Sequence, residues 1–234
     1  MNVVITGASK GIGYETVKAF AAEKGNKIVA ISRNFGLLEK LKAECDAFFK
    51  GSEVFILSLD HEAKVFSNEL SGQISGIIGS VDVLINNAGL LIRKPFAEFT
   101  EQDFDRLFSV NVKSAYRLIQ ILLPFFKPGS HIVNISSMGG YQGSSKFPGL
   151  SLYSASKGAL AVLTECLAEE FKEREIRVNC LALGSVQTEM LAEAFPGYKA
   201  PVKSLEMAGF IKDFAISGHH FMNGKILPVS LSTP

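Results

Sequence analysis

The residues best suited to chemistry lie in the stretch Ser-Leu-Tyr-Ser-Ala-Ser-Lys-Gly, from Ser151 to Gly158. Tyr153 and Lys157 stand four apart at the start of a segment patterned as a long helix. Side chains at i and i+4 share one helical face, so the phenol and the ammonium can point into one cleft. A phenol with its ordinary pKa of about 10 donates protons poorly at neutral pH. A fixed ammonium favours the phenolate and brings that pKa towards the range useful in general acid–base catalysis. A Tyr-x-x-x-Lys pair is common by chance, and what precedes it along the chain gives it weight.

Near the N-terminus a short apolar run ends in Thr6-Gly7-Ala8-Ser9-Lys10-Gly11-Ile12-Gly13. Glycines between a strand and a helix let the backbone turn tightly and approach a pyrophosphate, which the helix N-terminus stabilises through its free N–H groups. The spacing is not G-x-G-x-x-G, and a tight turn alone is the plainer alternative. The next apolar run ends Ile31-Ser32-Arg33-Asn34. Folds that select NAD place an acid there for the ribose 2′-hydroxyl, whereas an Arg accommodates a 2′-phosphate. Ser32 occupies the acid's place, with Arg33 beside it and Lys10 as a second cation, so NADP(H) is expected over NAD(H). Leu59-Asp60, Asn86-Asn87-Ala88-Gly89 and Asn134-Ile135-Ser136-Ser137 close later runs, again at strand ends where open α/β sheets bind ligands. Asn111 sits inside a helical pattern between two valines, where Asn is a poor helix former.

These motifs need a scaffold, and the hydrophobic pattern supplies one. Short Val/Ile/Leu-rich runs at 3–6, 27–32, 53–59, 81–86, 131–136, 177–182 and 225–229 read as strands covered on both faces. Longer amphipathic segments at 11–23, 37–50, 62–79, 101–126, 152–172 and 202–217 read as helices between them. Repeated β-α-β units predict a doubly wound parallel sheet of seven strands with helices on both faces. With neither linker nor repeat, residues 1–234 are expected to form a single dinucleotide-binding and catalytic domain.

Composition narrows the function. The chain has 234 residues, 47% apolar and 20% charged, with a formal net charge of +1, which leaves no electrostatic footprint for nucleic acid. No apolar run approaches the roughly 20 residues of a membrane span, and the first residues enter a strand without a signal-type segment. Cys45, Cys166 and Cys180 lack metal or redox spacing and read as reduced, mostly buried thiols of a cytoplasmic protein. The pair His219-His220 has no companion ligands, and no metal site is expected.

Taken together, Thr6-Gly-x-x-x-Gly-x-Gly13, Asn86-Asn-Ala-Gly89, Asn111, Ser137, Tyr153-x-x-x-Lys157 and Gly184-x-x-x-Thr188 resemble the short-chain dehydrogenase/reductase family over essentially the whole chain. The resemblance implies a Rossmann-like fold with strand order 3-2-1-4-5-6-7. It implies Tyr153 as proton donor in reduction, Lys157 lowering the Tyr153 pKa and holding the nicotinamide ribose, and Ser137 on the substrate carbonyl. Ser137 is preferred to Ser136 because the family's serine precedes a glycine by three, here Gly140. Asn111 would join a water relay to Lys157. The cofactor would meet Gly7, Ser9, Lys10, Gly11, Ile12 and Gly13 at the loop, with Arg33 at the 2′-phosphate. Asp60 would meet the adenine; Asn87, Ala88 and Gly89 the adenosine side; Gly184, Val186 and Thr188 the nicotinamide. Family members pair as homodimers or homotetramers, and Ala161, Leu163 and Leu167 are compatible with such pairing as well as with internal packing.

Three stretches depart from the family pattern. The segment between Ser137 and Tyr153 is longer than usual, Leu183-Gly184 replaces Pro-Gly, and the chain ends Leu-Pro-Val-Ser-Leu-Ser-Thr-Pro. After Thr188, Met190, Leu191, Ala194 and Phe195 share a helical face and form a brief apolar lid in this reading, over a small or open pocket. Tyr141, Phe147 and Leu150 would add walls. The expected reaction is reduction of a carbonyl to a secondary alcohol, with a 3-oxoacyl thioester as first candidate substrate. A sugar, polyol, pterin or other small ketone is the alternative, and an NADPH-binding module without activity the rival of a different class.

Overall fold

Residue alternation within the strands builds the molecule. In β1 (Asn2–Thr6), Val3 and Ile5 face one apolar layer and Val4 the other; in β2 (Lys27–Ser32), Ile28 and Ala30 oppose Val29 and Ile31. Both layers are fully buried, so each strand is apolar on both faces, as parallel strands sandwiched by helices must be. Each such Ile or Val contributes roughly 2 kcal/mol of burial. The computed structural model describes residues 1–59 and 68–231.

One layer packs α1 (Gly11–Ala21) and α2 (Phe35–Phe48) on the sheet through Val17, Phe20, Leu38 and Leu41. The other packs α3 (Asn68–Ile78) through Leu70 and Ile74. Strands β3 (Glu53–Ser58), β4 (Val81–Asn86), β5 (Phe126–Ser137) and β6 (Arg177–Leu183) complete most of the sheet. Between β4 and β5 run α4 (Glu101–Phe108) and α5 (Ser114–Leu122); α6 (Ser151–Glu170) joins β5 to β6. After β6 come β7 (Val186–Gln187), α7 (Glu189–Ala194), β8 (Val202–Lys203), α8 (Ser204–Ser217) and β9 (Ile226–Val229). The seven-stranded sheet runs β3-β2-β1-β4-β5-β6-β9, every described pairing parallel; β7 and β8 form a separate two-stranded piece. This is the Rossmann-like doubly wound architecture, and the order reverses between β1 and β4, where such sheets open a crevice.

Two local expectations change, and two others are resolved. The helix predicted over 101–126 is broken: Ser109–Lys113 forms a π turn around Asn111, and Pro124 turns the end into a short 3-10 segment. Strand β5 begins at Phe126 rather than 131, paired with Val81 across a register shift. Cys166 is exposed, whereas Cys45 and Cys180 are buried as expected. Ala161 and Leu167 are buried in the core, with Leu163 packed against it, so they do not present a face to a partner. No described helix is long and apolar enough to cross a membrane.

Candidate active site

The ends of β1 and β4 are stapled together first. Thr6 Oγ1 accepts hydrogen bonds from the backbone N–H of Asn87 and of Ala88, both at 3.0 Å. The Asn87 amide donates to the carbonyls of Thr6 and Gly7 at 3.0 and 3.3 Å. Here two motifs far apart in sequence become one crevice floor. A Cβ on Gly13 would collide with the Gly7 carbonyl and come within 2.5 Å of Asn87 Nδ2, so the first turn of α1 sits directly on this floor. Lys10 occupies the N-cap of α1 but supplies no capping side chain, which leaves the first-turn N–H groups available to an anion. Ser9 and Ser32 hydrogen-bond through their hydroxyls at 2.8 Å and hold the loop against β2.

From this loop a cavity of about 600 Å³ extends to Tyr153, within the usual range for ligand sites and not small. Gly7, Ser9, Lys10, Gly11 and Ile12 line its near end with Arg33; Asn87, Ala88 and Gly89 line its middle. Ser137, Tyr153, Lys157, Gly184, Val186 and Thr188 line its far end. The loop and the acid–base candidates therefore share one space. A nicotinamide dinucleotide fits this cradle: cations at one end, a backbone-lined turn for the pyrophosphate, and the phenol at the other. Gly13, expected at the cofactor, and Asn111, expected in the water relay, do not line the cavity. Gly13 and Asn111 are buried behind the wall, not in it, Gly13 because the helix packs there and Asn111 because its amide faces the backbone of Leu90. Asp60 lies outside the described residues.

The polar partners of α6 fix its catalytic-type face. Ser136 Oγ donates to the Lys157 carbonyl at 2.8 Å, and Lys157 Nζ donates to the Ile135 carbonyl at 2.8 Å, so β5 grips the helix twice. Gly140 permits the approach: a Cβ there would come within 2.6 Å of the Gly158 nitrogen and the Lys157 carbonyl carbon. Ser137 stands near enough to the Tyr153 phenol to influence its ionisation. Burial pushes the Lys157 ammonium down to about 8 and pushes the Tyr153 phenol above its ordinary value, with Ser137 partly opposing the latter. The expected lowering of Tyr153 by Lys157 is absent from this arrangement: desolvation is the largest influence on the phenol, and Lys157 Nζ is directed to the Ile135 carbonyl.

Loop features also differ from expectation. Phe147 and Leu150 line the cavity, but Tyr141 does not. Lys146 Nζ donates to the Tyr141 carbonyl at 2.6 Å. Thr188 caps α7, its Oγ1 accepting from Leu191 N at 3.2 Å, which couples the expected nicotinamide contact to the lid. Gly184 is required by its neighbour, since a Cβ would collide with Ser230 Oγ. Ser230 and Leu91 line the cavity without any motif to announce them; Ser156, which bridges Asn111 and Tyr153, was equally silent. His131, His219 and His220 gather their rings under α8, but among the described residues no group of His, Cys, Asp and Glu could hold a metal ion.

A doubly wound sheet with this loop and this Tyr-Lys-Ser grouping at one crevice defines a nucleotide-dependent oxidoreductase fold. The sequence profile described as short chain dehydrogenase matches residues 1–199, and the chain belongs to that family. Carbonyl reductase [NADPH] 2 of Sus scrofa is 38% identical over 195 residues, covering 81% of this chain and 73% of that protein. L-xylulose reductase of Homo sapiens is 37% identical over 193 residues, covering 80% and 72%. A solved short chain dehydrogenase from Burkholderia cenocepacia, in complex with NADP, superposes with a TM-score of 0.86 at 25% identity, covering 97% of this chain and 95% of that one.

Proposed function

We propose that this oxidoreductase reduces a ketone to a secondary alcohol with NADPH, residues 1–234 acting as one binding and catalytic domain. The observation that carries the reading is the convergence of Ser137, Tyr153 and Lys157 on the far end of the cavity that begins at the glycine loop. The bound cofactor supplies the hydride, and the chain supplies orientation and the proton. Ser137 aligns the carbonyl and stabilises negative charge growing on its oxygen. Tyr153 delivers its phenolic proton to that oxygen as charge develops on it. Lys157, anchored on Ile135, holds the nicotinamide ribose. Asn111 serves the site through the backbone it supports. Arg33 and Lys10 favour NADPH by facing the adenosine 2′-phosphate.

The cavity walls bear on the substrate. Leu91, Phe147, Leu150, Met190, Leu191 and Phe195 give an apolar surround, which suits a ketone flanked by hydrocarbon, a 3-oxoacyl thioester included. The second reading, a small sugar ketone, is favoured by the similarity to L-xylulose reductase. The deciding experiment follows NADPH consumption with acetoacetyl thioester, small diketones, a ketose and a pterin, with Tyr153→Phe beside wild type. Turnover lost in the variant supports the reductase, and the preferred substrate chooses between readings. Tight NADPH binding without turnover of any of them counts against both in favour of a silent binding module.

The exposed Phe104, Tyr116 and Val162 on α4, α5 and α6 support assembly into a homodimer or homotetramer; a monomeric mass by light scattering would count against it. Free thiols at Cys45, Cys166 and Cys180 accord with a cytoplasmic location.

A further inference from the structure

Arg93 lies four residues beyond Gly89, in the segment that leaves β4, and no motif marks it. Its Nη1 donates a 2.9 Å hydrogen bond to the carbonyl of Ala194, the last residue of α7. Carbonyls in a helix's last turn have no intrahelical partner, so this bond satisfies one of them. The guanidinium carbon also stands 4.5 Å from the Phe195 ring centroid, within reach of a cation–π interaction. Its stem packs on the turn before α6, where a Cβ on Gly149 would come within 3.1 Å of Arg93 Cγ. Beside it, Lys94 N donates to the Gly149 carbonyl at 3.1 Å. One side chain therefore joins the segment after β4, the approach to Tyr153, and the lid.

The lid depends on such ties. Helix α7 has six residues, none of them buried, too short to be stable by its own hydrogen bonds. Its other described charged tie, Glu193 to Lys10, spans 3.9 Å between exposed side chains, and such pairs contribute little in water. Yet Met190, Leu191 and Phe195 form the outer wall of the main cavity. Beyond that wall is a second cavity of about 620 Å³, bordered by Arg93 and sharing Leu91 and Met190 with the first.

We propose that Arg93 is the clasp of this lid, a positioning residue that holds α7 closed and keeps the Leu91–Met190 wall standing between the two cavities. The clasp gains a consequence for substrate choice from the reading of the main cavity as the carbonyl site. With the clasp in place the site favours compact ketones; without it the cavities merge and bulkier ones enter.

The test combines amide hydrogen exchange with kinetics on Arg93→Met, Arg93→Lys and Phe195→Leu in the full chain. Met retains the stem while removing the charge. In Arg93→Met, exchange over 189–195 should quicken about five- to tenfold, as loss of one charge-assisted hydrogen bond and one cation–π contact predicts. Exchange in β4 and α6 and the melting temperature should stay unchanged, and Lys should restore part of the protection. KM for the preferred ketone should rise with kcat little altered, and kcat/KM for a bulky ketone should rise relative to a small one. Unchanged exchange over 189–195 would overturn the clasp, as would faster exchange spread over β4 and α6 with a lower melting temperature. Faster exchange confined to the lid, with no ketone turned over by wild type, would support the clasp and count against the carbonyl reading instead.

Discussion

Asn111 holds the backbone of Leu90 with both ends of its amide. Oδ1 accepts from Leu90 N at 2.7 Å, and Nδ2 donates to the Leu90 carbonyl at 2.9 Å. The second Nδ2 proton goes to Ser156 Oγ at 2.9 Å, and Ser156 in turn donates to the Tyr153 carbonyl at 2.7 Å. Both side-chain protons are committed, so a water relay from Asn111 would start at its main-chain carbonyl in the π turn. Such turns recur at functional sites because they loosen the regular ladder. Asn111→Ala leaves the half-buried N–H and carbonyl of Leu90 without these partners, and we expect a loss of about 1–2 kcal/mol in urea unfolding. Asn111→Asp, which keeps the acceptor but not the donors, should fall between Ala and wild type.

Removal of the phenolic proton should abolish reduction without abolishing cofactor binding. Tyr153→Phe is expected to lower kcat by about 10³-fold, and Ser137→Ala by about 10²-fold. NADPH affinity by fluorescence titration should stay near that of wild type in Ser137→Ala. A Tyr153→Phe variant with substantial turnover would remove Tyr153 from the proton step.

Gly140 has no space for a side chain against α6. Gly140→Ala must move either the helix backbone at Lys157 and Gly158 or the turn after Ser137. We expect about 1–3 kcal/mol of destabilisation and a drop in kcat, because the same shift separates Ser137 from Tyr153. Normal stability and activity would show that the contact relaxes freely.

The choice of cofactor should rest on Arg33 and Lys10, which line the loop end of the cavity. Arg33→Ala is expected to weaken NADPH about tenfold, the scale of one charge-assisted phosphate contact, and to leave NADH unaffected. Lys10→Ala should do the same to a lesser degree. An unchanged ratio of the two affinities in Arg33→Ala would place the 2′-phosphate elsewhere.

Acid should loosen the sheet at His131. This imidazole is buried in β5, with Nδ1 bonded to the Ala215 carbonyl at 2.9 Å and Nε2 to the Asn179 amide at 3.0 Å. Burial holds its pKa down to about 4 from an ordinary 6.5. Between those values the unfolded chain binds the extra proton. The neutral ring's stabilisation is thus present above pH 6.5 and is lost as the pH falls through 4. About 3 kcal/mol is at stake, and His219, also pushed down by burial, adds to it with the same sign. Unfolding free energies of wild type should therefore fall more steeply with acid than those of His131→Gln; parallel curves would exclude the effect.

The strands and the two glycine-rich ends were legible because both depend on local rules. An apolar run covered on two faces has one reading, and a strand that ends in glycines has few. The seven strands stand close to their expected bounds, whereas β5 is longer because Phe126 finds a partner in Val81 that no local pattern announces. The π turn at Asn111 and the short pieces β7 and β8 were hidden for the same reason: long-range contacts hold them.

By itself, the sequence determined which groups can do chemistry and the order in which strands deliver them to one edge of a sheet, since periodicity and turn chemistry act over a few residues. The tertiary structure alone decided which of those groups share a cavity. It set Gly13 and Asn111 behind the wall, and it placed Arg93 against Ala194 and Phe195, 101 residues along the chain from Arg93 to Ala194. It also made desolvation the largest influence on the Tyr153 phenol. Burial is a property of everything that surrounds a group, and no spacing between two residues encodes it.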